Sequence, residues 1–148
     1  MRKPLFIASL LASITFAQSA MAQEPADTFG TPISSAVVVS FADNSSTFRP
    51  NTEQAIHLSD AKQAALVTIR GRTSTNTPSA RDEALVLARA LSARSYLVAH
   101  GVSPLKIAVN FASAADFVYD NSTPEGRRES QRVEVELVYV SAHREVIP

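Results

Sequence analysis

The sequence predicts an α/β (α+β) sandwich: strand, helix, strand, helix, strand and strand in order, with one mixed sheet carrying two helices packed on one face. Three observations predict it. Four short segments, residues 34–41, 66–70, 105–111 and 132–140, are rich in β-branched and apolar side chains. Two segments between them repeat apolar residues at spacings of three and four, the period of a helix face. Glycines and prolines fall at the joins, where turns belong. Two successive strand–helix–strand units gather their strands into one sheet with the helices on the same side.

The first strand is built on Val37-Val38-Val39 with Phe41 beyond. A β-branched run of this kind is expected to be buried on both faces near its centre. Asp43-Asn44-Ser45-Ser46 is a turn cluster. Pro50 and then Asn51-Thr52-Glu53 mark a helix start, and Ala55, Leu58, Ala61 and Ala65 supply its apolar face. Residues 66–70 form the second strand, closed by Gly71, and a polar loop leads to a long helix over residues 80–99. Val86, Ala90, Ala93 and Leu97 make the apolar stripe of that helix. Gly101 suits the position after a C-cap, and Pro104 prevents continuation. Residues 105–111 are the third strand, and residues 116–131 a polar connection around Pro124-Glu125-Gly126. In the last segment Val133, Val135 and Leu137 alternate with Glu134 and Glu136, which predicts a strand near a sheet edge with one wet face.

Ahead of these elements, Arg2 and Lys3 precede an uncharged run from residue 5 to residue 16, followed by Ala20-Met21-Ala22. A basic start, a short apolar stretch and an A-x-A site predict a secretory signal peptide, residues 1–22, cleaved after Ala22. The apolar run is about twelve residues, short of the roughly 20 that span a bilayer. The organisation expected is therefore signal peptide 1–22, flexible lead-in 23–33, one domain 34–140 and a tail 141–148. Cleavage removes two cations from an even balance of 14 basic and 14 acidic residues, leaving a slightly acidic exported chain. No membrane span is expected in it.

That balance argues against nucleic acid as a partner, because phosphate neutralisation needs a surplus of cations. The chain contains no cysteine, which excludes disulfides, thiolate nucleophiles, sulfur-ligated metals and a lipid-bearing cysteine. His57, His100 and His143 are scattered, and no nucleophile elbow, HExxH or phosphate loop occurs. Glu134 and Glu136 share a strand face, as a solvated side does more often than a catalytic carboxylate pair. No enzyme, cofactor or metal site is expected.

Gly71-Arg72-Thr73-Ser74, then Asp82-Glu83-Ala84-Leu85 with Arg89-Ala90, then Tyr96-Leu97 resemble the peptidoglycan-binding domain of OmpA and Pal. Glu125-Gly126-Arg127 with Ser130-Gln131-Arg132-Val133-Glu134, and Phe41, Asn44-Ser45 and Phe48-Arg49-Pro50, extend the likeness over about residues 35–140. The resemblance implies a pocket for the diaminopimelate of a stem peptide, with an acid receiving the ammonium and a helix arginine clamping a carboxylate. On these positions the implied ligand-binding set is Arg89, Thr73, Ser74, Asp82, Asn44 and Arg132.

Two departures stand out. Ser74 occupies the position of the family's aspartate, and a hydroxyl supplies no charge. Losing such a charge-assisted bond costs about 1.5–3 kcal/mol, or tenfold to a hundredfold in affinity. Asp82 replaces an asparagine on the same helix face as Arg89. It either takes over the ammonium or serves as the acidic first turn of its helix. Gln131 and Ser130 also replace an arginine and an asparagine of the family pattern. Arg127, Arg128 and Arg132 suit either a carboxylate-rich surface or a solvated turn. Two functions follow: an exported periplasmic module that binds peptidoglycan stem peptide or a wall-spanning assembly through an envelope protein partner, or a structural subunit of a secretion, conjugation or motility machine that keeps the fold for protein contacts alone.

Overall fold

The computed structural model describes residues 32–75, 77, 79–111 and 119–140. The expected signal peptide, all of the lead-in but its last two residues, the tail and His143 lie outside them. Two helices begin by the same local device. Asn51 accepts from the Gln54 amide at 2.8 Å while Gln54 Oε1 accepts from the Asn51 amide at 2.8 Å, which starts α1, Thr52–Ser59. Ser79 and Asp82 make the equivalent capping box at the head of α2, Ala80–Ala99. Gln54 also donates to the Val38 carbonyl at 2.7 Å and so ties α1 to the first strand.

The strands are β1, Ile33–Ser40; β2, Leu66–Gly71; β3, Ile107–Phe111; and β4, Arg132–Tyr139, arranged in the order β1-β4-β2-β3. β4 is antiparallel to both β1 and β2, and β2 is parallel to β3. β1 and β2 therefore point the same way with β4 inserted between them, giving the mixed sheet expected. α1 packs on β1, and α2 lies over β2, β3 and β4. Between helices and sheet sits one core containing Val37, Val39, Leu58, Val67, Ile69, Ala90, Ala93, Leu97, Val133, Val135 and Leu137.

Two expectations about strand position are corrected. β4 is central, not near an edge: its charged residues are matched across the sheet, Arg70 to Glu136 at 3.3 Å and Arg72 to Glu134 at 3.4 Å. Alternating charge reads as an edge until neighbouring strands supply the counter-ions. β1 is not buried on both faces but lies at the end of the four-strand order, with Val38 42 % exposed.

Three boundaries also differ. A tight turn at Asp60–Lys62 follows α1 and shifts its phase, so Ala64 is buried instead of Ala65, whose amide joins the sheet at the Val138 carbonyl, 2.8 Å. Another at Pro104–Lys106 delays β3 to Ile107 and leaves Leu105 exposed. The polar connection contains a short helix, α3, Pro124–Ser130, with Thr123 accepting from the Gly126 amide at 3.0 Å and Pro124 at the first position. No helix among the described residues is long and apolar enough to cross a membrane.

Gly71 and Gly101 each answer to the local backbone. A Cβ on Gly71 would stand 2.5 Å from the Val86 carbonyl oxygen, so the glycine lets α2 lie directly on β2. Gly101 follows α2 at φ +89°, where a side chain is strained.

Candidate functional site

The topology brings three chain segments to one end of the sheet. β1 and β2 both finish there and β4 begins there, so the loops after Ser40 and Gly71 face the residue before Arg132. Ladder-like hydrogen bonds join them, from the Phe41 amide to the Gln131 carbonyl at 2.7 Å and from Arg72 to the Arg132 carbonyl at 2.8 Å. The first half of α2 closes the side. The result is an open pocket of about 250 Å³ lined by Asp43, Asn44, Thr73, Ser74, Thr75, Asp82, Leu85, Arg89 and Gln131.

Arg89 is the organising residue. Its side chain is 1 % exposed. Nε donates to the Ser45 carbonyl at 2.9 Å and Nη2 to the Ala42 carbonyl at 3.3 Å, gripping both ends of the turn that presents Asp43 and Asn44. That turn is closed by the Ser45 amide on Ala42 at 3.1 Å, with Asn44 at φ 54°, a left-handed position asparagine tolerates. Nη1 donates to the Arg72 carbonyl at 3.0 Å and so holds the second loop, and Nη2 also reaches Gln131 Oε1 at 3.3 Å. The guanidinium lies 5.1 Å from the Phe41 ring centroid. Burial pulls its pKa down to about 10 against the opposing pull of Asp43, so it remains cationic at neutral pH.

Gln131 links the rest. Its Nε2 donates to Asp43 Oδ1 at 2.7 Å and to Ser74 Oγ at 3.2 Å while its Oε1 faces Arg89. Chemistry sets this amide orientation: the reverse would aim NH₂ at a guanidinium and oxygen at a carboxylate. Thr73 is 6 % exposed and its hydroxyl has no hydrogen-bond partner.

Asp82 lines the pocket but is engaged at the helix start, where Oδ2 accepts from both the amide and the hydroxyl of Ser79. Those bonds, led by the hydroxyl, hold its carboxyl below the usual carboxylate range. A depressed folded pKa stabilises the fold above the unfolded value and is lost as pH falls through the carboxylate range, near 3.9. Ser79→Ala is accordingly expected to cost about 1 kcal/mol at pH 7, less at pH 3, in denaturant titrations at the two pH values.

Of the six residues the sequence marks, the structure brings Arg89, Thr73, Ser74, Asp82 and Asn44 together. Arg132 is not among the residues that line this pocket. Its guanidinium is held by Glu134, by the Glu129 carbonyl at 3.4 Å and over the Tyr119 ring at 4.9 Å. Adjacent residues of an extended chain point to opposite sides, and Gln131 takes the pocket side. Sequence reasoning missed Asp43 as a lining residue and read Gln131 only as a departure from the family pattern. The available signal was topological: Asp43 is the acid in the loop after a strand parallel to the one ending in Gly71. Among the described residues no group of three histidine or acidic side chains is placed to hold a metal.

The model of the OmpA family matches residues 40–131. A Brucella suis protein called "Type IV secretion system putative outer membrane lipoprotein" is 28 % identical over 109 residues, 72 % of this chain; the match spans 63 % of that protein's length. Among solved structures, the cell wall anchor of the T6SS from Pseudomonas aeruginosa is 24 % identical with TM-score 0.57, covering 73 % of this chain and 82 % of its own. The OmpA-like domain of FopA1 from Francisella tularensis, 17 % identical, has TM-score 0.57 with 75 % and 76 % covered. The peptidoglycan-associated lipoprotein from Burkholderia pseudomallei, 19 % identical, also has TM-score 0.57, with 68 % and 88 % covered. At those identities the structural likenesses establish the fold. A family match that runs from the end of β1 to Gln131 takes in every residue lining the pocket, and the chain belongs to the OmpA family.

Proposed function

We propose that this chain is an exported, periplasmic envelope module whose pocket takes the diaminopimelate of a peptidoglycan stem peptide and whose other surfaces meet an envelope protein partner. The observation that carries the reading is the pocket itself: a buried, charged arginine from α2 and a carboxylate on the loop after β1, linked through Gln131, line one polar cleft. A zwitterion is bound by a cation and an anion held apart on a fixed scaffold, and this cleft has that composition. The relatives named for a cell wall anchor and a peptidoglycan-associated lipoprotein support the same direction.

A second reading has its own observation. Four of the five N–H groups of Arg89 are spent on the protein's own carbonyls and Gln131, and Ser74 carries no charge, as suits a structural subunit of a secretion assembly. The Brucella relative lends that alternative support. Co-sedimentation separates the two. Purified protein should pellet with isolated sacculi and be released by excess free meso-diaminopimelate. Protein that stays in the supernatant throughout contradicts wall binding and favours the subunit.

A further inference from the structure

We infer that Asp43 is the acid of this pocket, so that an ammonium is received by the loop after β1 while Ser74, Thr73 and Arg89 form the anion side. The inference rests on the ligand-binding reading above and adds the direction in which a zwitterion lies across the cleft.

Three features lead to it. First, the two acids lining the cleft are not equivalent. Asp82 Oδ2 already accepts two hydrogen bonds that start α2, which fix its carboxylate at the helix start. Asp43 serves no helix. It is exposed, accepts one side-chain hydrogen bond, from Gln131, and stands on a turn whose two ends Arg89 holds. Its second carboxylate oxygen is open to a cation.

Second, Gln131 biases position 74 toward donation. Its Nε2 donates to Ser74 Oγ, which takes one of that oxygen's two lone pairs and leaves the O–H proton free. A hydroxyl with its proton free can donate to a carboxylate, and it carries no charge to hold an ammonium. Third, the adjacent Thr73 hydroxyl is more than nine-tenths buried, lines the pocket and lacks a partner. Buried hydroxyls are nearly always bonded, so an unpaired one on a residue lining a cleft points to a ligand atom. Together with the one N–H that Arg89 retains, two hydroxyls on the β2 loop make a donor set for a carboxylate. Asp43 lies on the other loop. A ligand with an ammonium and a carboxylate, as amino-acid side chains of the wall have, therefore bridges the two loops with its amine toward Asp43.

The test uses titration calorimetry with a stem tripeptide ending in meso-diaminopimelate, its side-chain amine either free or acetylated. Asp43→Asn is nearly isosteric and keeps an oxygen to accept from Gln131, and circular dichroism checks that it folds. Against the free amine it should bind tenfold to a hundredfold more weakly than wild type, the worth of one charge-assisted bond. Against the acetylated peptide the two proteins should bind alike, and against the free amine Asp82→Asn should lose less affinity than Asp43→Asn. Wild-type affinity in Asp43→Asn, or a loss that falls on Asp82→Asn instead, overturns the assignment of the acid. Wild type that binds neither peptide overturns the ligand-binding reading beneath it, a result distinct from the other two.

Discussion

Replacing Arg89 with alanine is expected to destabilise the protein by about 3–5 kcal/mol, seen as a fall in the urea midpoint. The substitution strips the donor from the part-buried carbonyls of Ala42, Ser45 and Arg72, and each one left bare costs up to roughly 1–3 kcal/mol. Some of that is recovered where water enters beside the open pocket. Arg89→Lys should be intermediate, because a single ammonium cannot span the carbonyls of two loops at once. The consequence reaches function. A loss of ligand binding in Arg89→Ala reports on the two loops as much as on any carboxylate contact, which is why the near-isosteric removal of charge at Asp43 is the cleaner probe.

Gly71→Val should cost about 3 kcal/mol and also weaken the site. The added Cβ would press on the Val86 carbonyl oxygen at 2.5 Å and on Val86 Cγ1 at 3.1 Å. The first of these is backbone and yields only if α2 moves, and overpacking of that kind costs on the order of 1–3 kcal/mol. Val86 and Arg89 share one helix face, three residues apart. A helix lifted from β2 therefore carries Arg89 away from the Arg72 carbonyl, now 3.0 Å distant. Gly71→Ala should show the same two effects at smaller size. Thermal melts measure the first effect and peptide titration the second.

The long helix was legible in the sequence to the residue, Ala80–Ala99, because Ser79, the apolar stripe and Gly101 all mark it independently. The strand segments were legible too, but not their neighbours. β1 and β4 were assigned to the wrong places because a Val-Val-Val run suggests a buried strand and alternating glutamates suggest a wet edge. Pairing decides otherwise: Glu136 meets Arg70 on β2 and Glu134 meets Arg72 just beyond it, partnerships between residues more than 60 apart in the chain. The site divides the same way. Arg89, Thr73 and Ser74 could be found from local spacing, since one strand end and one helix carry them. Asp43 and Gln131 come from segments 88 residues apart, and only the insertion of β4 between β1 and β2 sets them 2.7 Å from each other. Asp82 was visible with two meanings, and the Ser79 hydroxyl accounts for the capping one.

The two loops held by Arg89 are proposed to form one ligand-binding cleft. The most direct test of that proposal is a nitrogen–proton correlation spectrum recorded while the stem tripeptide is added to isotope-labelled protein. Shifts should gather at the amides of residues 43–45 and 73–75 and at Arg89 Nε, all saturating with one affinity. Saturation of the peptide with those signals unmoved, or shifts confined to the β3 side of the sheet, would contradict it.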